Sequence, residues 1–327
     1  MMELIMGAWV AQTIAAAADL GIADALADGP ASSTELARRL NADADSLQRM
    51  LRALIGIGIF RQRGDGRYEL TALASTLRTD SPVSMAALAK WVGSPQHREH
   101  WSHLSNAVKT GSATVPALRG KPLFDYLADE PALAEVFNVA MTGVSEFAIA
   151  PVIAGYDFSC FSTIADIGGG HGRLLAAILE QAPQARGVLF DLPQVVAGAP
   201  ALLRQYGVEK RVQIVGGSFF DSIPTGADAY VLKNVIHDWP DEHAVRILRN
   251  VRTAARTGAR VLLIEFVIPE NDRNFHGKWV DLEMLVVADA RERTAAEYGR
   301  LFKQADLQLN RVVRTVGPVS VVEAVAI

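Results

Sequence analysis

Cysteine is nearly missing from this 327-residue chain: Cys160 stands alone. One thiol excludes an internal disulfide and a cysteine-built zinc site, and it points to a reducing, cytoplasmic setting. A charge excess is missing too, because 32 Lys and Arg stand against 36 Asp and Glu, a net of −4. That balance excludes a polyanion binder driven by bulk charge. With 50% hydrophobic residues it also excludes a disordered chain. No Lys or Arg precedes Arg38, so the basic start of a secretion signal is not seen. The apolar stretches 4–11 and 261–268 fall short of the ~20 residues a membrane-crossing helix needs, and Glu265 interrupts the second. No membrane partner is expected.

What is present divides by texture. At roughly 150 residues per domain the length suggests two domains. Residues 1–90 are rich in Ala and Leu at helical spacing. Ser33 and Thr34 read as the start of one helix. Asp45 reads as the cap of the next, which carries Leu47, Met50, Leu51, Leu54 and Ile55 on one face. Gly64-Asp65-Gly66 then reads as the turn of a hairpin within 61–70. Helix, turn, helix and a small hairpin is the pattern of a winged helix. Residues 91–158 are again helical. From 159 to 327 strand candidates alternate with helices, at 163–167, 187–191, 212–215, 229–233 and 260–267. Such alternation argues for a parallel sheet covered on both faces. The last two candidates, 311–316 and 319–326, are joined only by Gly317-Pro318, so they are expected to pair antiparallel.

The chemistry begins at Asp166-Ile167-Gly168-Gly169-Gly170-His171-Gly172, between a strand and a helix. Glycines there let backbone approach a ligand at the place where open α/β sheets bind nucleotides. Arg173 stands where a dinucleotide fingerprint needs its third glycine. Asp166 would repel a pyrophosphate and suits a cationic ligand end. Asp191 follows at the end of the second strand, 19 residues after Gly172, where a carboxylate accepts from both ribose hydroxyls. A nucleoside without phosphate and with a cationic end is S-adenosylmethionine (SAM).

The glycine turn, Phe190-Asp191-Leu192-Pro193, Gly217-Ser218-Phe219-Phe220 and the run from Lys233 to His237-Asp238-Trp239 together resemble one family. It is the class I SAM-dependent O-methyltransferases of the caffeate and hydroxyindole type, including bacterial members acting on secondary metabolites. The likeness spans nearly the whole chain. It implies a C-terminal Rossmann-like SAM-binding parallel sheet with an antiparallel terminal hairpin. It also implies an N-terminal winged-helix dimerisation domain, all-helical apart from its hairpin. Residues 91–158 become a helical linker that contributes to the acceptor pocket.

By the same resemblance Gly168 and Gly170 face the methionyl part of the cofactor, and Asp191 with Leu192 lies at the ribose. Gly217, Ser218 and Phe219 border the adenine beside Lys233, and Ser145 reaches the cofactor carboxylate. Many members carry Asp where this chain has Ser218, which leaves adenine recognition to the serine oxygen, backbone or water. Phe137, Met141, Trp239 and Met284 line the acceptor pocket, with Glu283 and Asp289 near it.

The family's catalytic base falls in the His-Asp-Trp step, at His237. A histidine of ordinary pKa, about 6.5, is mostly neutral at pH 7 and takes a hydroxyl proton. Glu265 and Glu292 are the carboxylates expected to orient it. Arg291 and Arg293 flank Glu292, so a solvated charge cluster is a competing reading of that segment.

Three rivals remain. Residues 1–90 hold nine basic and ten acidic residues, so the winged helix lacks the basic face of a nucleic-acid reader. His97, His100 and His103 share a helical spacing, but no Asp, Glu or Cys with obvious ligand spacing accompanies them, which favours packing over metal binding. Metal addition or chelation is therefore expected to leave activity unchanged. A SAM-binding relative with hydroxylase-like chemistry is the closest alternative, against which His237, Glu265 and Glu292 favour hydroxyl deprotonation.

Overall fold

The computed structural model describes residues 1–270 and 274–327. Its contacts divide the chain into two units. The first comprises Met1–His103 and Leu123–Phe147, the second Leu104–Pro122 and Ala148–Ile327. Residues 91–158 are thus shared between the two rather than standing apart.

In the first unit, helices Ser33–Leu40 and Ala44–Gly56 each begin at a side-chain cap. Both caps lie before the positions expected from the sequence. Ser32, extended, accepts from the Glu35 N–H while the Glu35 carboxylate accepts from the Ser32 N–H, a reciprocal capping box. Asp43 accepts from the Ser46 N–H at 2.8 Å, which leaves Asp45 as a first-turn charge. Leu47, Leu51 and Leu54 recur at helical spacing and are buried. The hairpin pairs β1 (Phe60–Gln62) with β2 (Tyr68–Leu70) antiparallel. Gly66 supplies the positive φ, +84°, that its turn requires.

The second unit is built on seven strands: β3 (Thr163–Ile167), β4 (Arg186–Asp191), β5 (Val212–Gly216), β6 (Ala229–Lys233), β7 (Arg260–Glu265), β10 (Leu307–Arg314) and β11 (Ser320–Ala326). The short pair β8 (Val267–Ile268) and β9 (Arg293–Thr294) lies beside them as a separate parallel ladder. The sheet order is β10-β11-β7-β6-β3-β4-β5. β3 to β7 run parallel, and β11 is antiparallel to both β7 and β10. Alternate side chains feed opposite faces, as period two demands. Ala165, Ile167, Tyr230 and Leu232 pack on one side against helices Asp241–Ala254 and Ala295–Gln304. Ile164, Val231, Leu262 and Ile264 pack on the other against helix Arg173–Gln181. Each large side chain so buried contributes about 1.5–3 kcal/mol. The strand order reverses between β3 and β6, and the crevice at their carboxyl ends is where such sheets bind ligands.

Helix Pro131–Gly155 runs from one unit into the other. At 25 residues it is long and apolar enough to cross a membrane by length and composition. It lies outside the two apolar stretches, 4–11 and 261–268, weighed from the sequence, and Glu135 and Glu146 lie within it.

Candidate functional site

β3 ends at Ile167, and the chain turns sharply through three glycines. Gly168 has φ +70°, and a Cβ there would lie 2.8 Å from Val235, just beyond β6. The Gly168 and Gly169 N–H groups donate to the Phe190 carbonyl at 2.8 and 3.3 Å, tying the turn to β4. Gly170, φ +60°, is different: a Cβ there would meet nothing within 4 Å, so this glycine borders open space. Asp191, the last residue of β4, accepts from the Gly170 N–H at 2.8 Å and the Leu192 N–H at 2.7 Å. A carboxylate offers about four acceptor sites, so half its capacity remains. The Asp191 carbonyl takes the Gly217 N–H, and a Cβ on Gly217 would strike the Phe190 ring at 2.8 Å.

Asp166 lies beneath the turn, 1% exposed, with Oδ2 unpartnered. Burial pushes its carboxyl up to about 7, against the pull of Lys233 at the end of β6 and with a push from Asp191. Open backbone at Gly170, an unsatisfied buried carboxyl and spare acceptors on Asp191 fit a ligand with a cationic group and ribose hydroxyls.

The second cluster sits beyond the ends of β6 and β7. His237 lies in the 3-10 turn Ile236–Asp238 and is buried. Its Nδ1 meets Glu292 Oε1 at 2.7 Å, and its Nε2 lies 3.3 Å from Asp238 Oδ1. Glu265 closes β7, fully buried, and its Oε1 accepts from the Val235 and Ile236 N–H groups at 3.2 and 2.9 Å. It therefore holds the turn that carries the imidazole. Donor atoms of His237, Glu265 and Glu292 lie within 4.8 Å of one another, the one metal-compatible grouping among the described residues.

The electrostatics of this cluster differ from the ordinary histidine assumed from sequence. Burial disfavours the imidazolium, but the carboxylates of Glu265, Asp238 and Glu292 outweigh it and raise His237 to about 10. Burial raises Glu265 and Glu292 in turn, and each keeps one oxygen without a partner. Glu323 in β11 is a contrast within the same sheet. It is 2% exposed, yet bonds from Arg311, Asn310 and Tyr156 overcome burial and its carboxyl is lowered. The site carboxyls are instead raised by burial, and it is their ionised form that stabilises positive charge on His237.

The segment bearing Glu292 is anchored from several directions. The Glu292 N–H donates to Asp281 Oδ1 at 2.8 Å, and the Arg291 N–H to the His237 carbonyl at 3.1 Å. Glu292 is 3% exposed and Arg293 1% exposed, so the solvated-cluster reading fails for both. Arg291 alone is exposed. Asp289 accepts from the Ala113 N–H at 2.6 Å, which accounts for a carboxylate the sequence left near the acceptor. From the sequence Asp238 is expected to shape the turn rather than take part in the chemistry, and Asp281 and Arg293 are not among the expected site residues. The dipeptide Glu292-Arg293 beside a strand was the available signal.

Other expected positions fall as follows. The Ser218 oxygen accepts from the Phe220 N–H at 3.2 Å, within its own turn. Phe219 and Trp239 both edge onto Phe220, at 5.0 and 4.7 Å, and Trp239 also stacks on His243. Met284 is half-buried on helix Gly277–Val287. Leu192 is 43% exposed. Ser145, Met141 and Phe137 belong to the first unit, where Phe137 packs on Trp91 at 4.9 Å. His97 and His100 are buried, His97 bonding the Val92 carbonyl and His100 edging onto Tyr126.

A parallel sheet with this switch point, glycine turn and strand-end carboxylate defines an α/β protein of the nucleoside-cofactor class. Comparison with known proteins narrows it. An O-methyltransferase domain matches residues 101–308 and an O-methyltransferase dimerisation domain matches residues 2–80. A phenazine O-methyltransferase of Lysobacter antibioticus is 42% identical over 99% of this chain and 95% of its own. A mitomycin biosynthesis 6-O-methyltransferase of Streptomyces lavendulae is 37% identical over 98% and 92%. The crystal structure of a methyltransferase in calicheamicin biosynthesis, in its SAH-bound form, superposes with a TM-score of 0.89 at 35% identity, covering 100% of this chain and 97% of that one. The chain belongs to the O-methyltransferase family, an enzyme with S-adenosylmethionine as its cofactor.

Proposed function

We propose that this enzyme methylates a hydroxyl of an aromatic or polyketide-like small molecule of secondary metabolism, with His237 as general base. The observation that carries the reading is the buried His237 imidazole bound through Nδ1 to Glu292 at 2.7 Å. SAM supplies, when bound, an electrophilic methyl carbon on a sulfonium whose leaving group is a neutral thioether. Asp191, Gly168 and Gly170 are assigned to hold the cofactor, with the Asp166 carboxyl beneath them.

The proton balance follows from the cluster. The acceptor hydroxyl gives its proton to Nε2 as its oxygen attacks, while Glu292 keeps the Nδ1–H oriented. Asp238 holds the Nε2 side in this structure, and the hydroxyl takes its place. Glu265 steadies the turn and, with Glu292, stabilises the imidazolium that forms. With its pKa raised to about 10, the imidazole is mostly protonated at pH 7, so turnover climbs as pH rises.

The first helix, Met2–Asp19, leaves Leu4, Ile5 and Trp9 68–79% exposed within the matched dimerisation domain. We assign this face to a homodimer. A reducing, cytoplasmic setting agrees with the exposed free thiol of Cys160.

The test is mass spectrometry of a phenol and quinol panel incubated with methyl-labelled SAM, with His237→Ala alongside. Label is expected in a product, and His237→Ala is expected to bind SAM normally while turning over about a hundredfold more slowly or worse. Absence of label transfer across the panel, or full turnover by His237→Ala, overturns the reading.

A further inference from the structure

Arg293 is the most thoroughly engaged charged residue of the catalytic region, and no step above uses it. It follows Glu292 directly in the chain and is 1% exposed. Its Nη1 donates to the Ile236 carbonyl at 3.1 Å and to the Arg291 carbonyl at 3.4 Å. Its Nη2 donates to the Trp239 carbonyl at 2.8 Å. Nε and Nη2 also converge on Asp241 Oδ1, at 3.1 and 2.8 Å. The guanidinium therefore grips residues 236, 239 and 241, which bracket His237 on both sides, from a backbone position adjacent to Glu292.

We infer that Arg293 is a positioning residue that sets the His237–Glu292 pair by clamping the His237 turn to the start of β9, directly after Glu292. This rests on His237 being the base. A buried guanidinium whose three nitrogens are all directed at carbonyls and one carboxylate leaves no donor direction toward a cofactor or acceptor. Its action is through the main chain. The two partners of the pair are 55 residues apart in sequence and sit on different elements. The direct main-chain tie between them is the Arg291 N–H to the His237 carbonyl. That bond fixes one end of the turn, while the planar fork of Arg293 fixes its start, its end and the first turn of helix Asp241–Ala254. A lysine carries the same charge but lacks the fork, so geometry and charge are separable here. Catalytic groups misplaced by about 1 Å lose on the order of a hundredfold in rate, which sets the scale of the effect.

The experiment compares Arg293→Lys, Arg293→Ala, Asp241→Asn and His237→Ala with the parent enzyme. Each is assayed for SAM affinity by calorimetry, for kcat and KM, and for the imidazole protons of His237 by NMR. Arg293→Lys and Arg293→Ala are expected to lose roughly 10- to 100-fold in kcat at nearly unchanged SAM affinity. The Nδ1 proton resonance of the Glu292 hydrogen bond is expected to vanish or shift in both. Millimolar guanidinium is expected to restore part of kcat and that resonance to Arg293→Ala but not to Arg293→Lys. Asp241 is 59% exposed at its side chain, so Asp241→Asn keeps the fold should the arginine variants fail to fold. It is expected to lose a few-fold in kcat with the same NMR shift, smaller in size.

An unchanged His237 resonance with unchanged kcat in Arg293→Lys overturns the inference. For arginine variants that do not fold, the same result in Asp241→Asn overturns it. Loss confined to SAM affinity overturns it equally. Full turnover by His237→Ala would instead sink the base assignment, whatever the arginine variants do.

Discussion

Replacing Glu292 by glutamine removes its charge while keeping its shape and one acceptor oxygen. In the parent, the carboxylate at 2.7 Å from Nδ1 is one of three that raise His237 to about 10. A hydrogen bond to a charged partner contributes about 1.5–3 kcal/mol. A neutral glutamine acceptor contributes about 0.5–1.5 kcal/mol, so the difference of about 1–1.5 kcal/mol, at about 1.36 kcal/mol per pKa unit, lowers the His237 pKa by ~1 unit. The sign is fixed: a lower pKa means the imidazole is deprotonated at lower pH, so the rising limb of kcat/KM moves toward acid by that amount. The plateau falls as well, by about a hundredfold or more, because the imidazolium formed during proton transfer loses its partner. The assay is initial-rate label transfer from SAM between pH 6 and 11 for parent and Glu292→Gln, with two phenols of different acidity. A limb that stays where the parent has it, or one that follows the phenol rather than the variant, refutes the reasoning.

Three further outcomes are expected. Asp191→Ala removes the strand-end carboxylate bonded to Gly170, and SAM affinity should fall roughly 10- to 100-fold by calorimetry; unchanged affinity removes Asp191 from the cofactor site. Gly168→Ala places a Cβ 2.8 Å from Val235 at φ +70°, so it should lower stability by at least about 1–2 kcal/mol in a denaturant melt and weaken SAM binding. A variant matching the parent in both would show the turn to be tolerant. Ile5→Glu on the exposed face of the first helix should yield a monomer by light scattering, and a persisting dimer would place the interface elsewhere.

Much of the fold was legible because its signals are local. The strands at Thr163–Ile167 and Ala229–Lys233 were bounded correctly from apolar runs ended by glycine or charge. The terminal hairpin followed from the shortness of Gly317-Pro318. Caps were less legible. Ser32 and Asp43 precede Ser33 and Asp45, the positions the sequence favours, since neighbouring Ser, Thr and Asp offer equivalent local chemistry and only backbone geometry selects one. At the site, the positions of Asp191 and the glycines could be read from spacing. The state of His237 could not, because its pKa depends on Glu265 and Glu292, 28 and 55 residues further on.

The sequence by itself determined the alternation of strands and helices, the glycine turn with its acidic partners, and the resemblance that the family comparison bears out. These depend on neighbouring residues, whose periodicity and turn chemistry need no partner from afar. The tertiary structure alone decided which charges are buried. Arg291-Glu292-Arg293 reads as one solvated run, yet two of its side chains are enclosed because β9 lies against β8 and the His237 turn. Burial is a property of what packs from elsewhere in the chain, and with it come the raised imidazole and the arginine clamp.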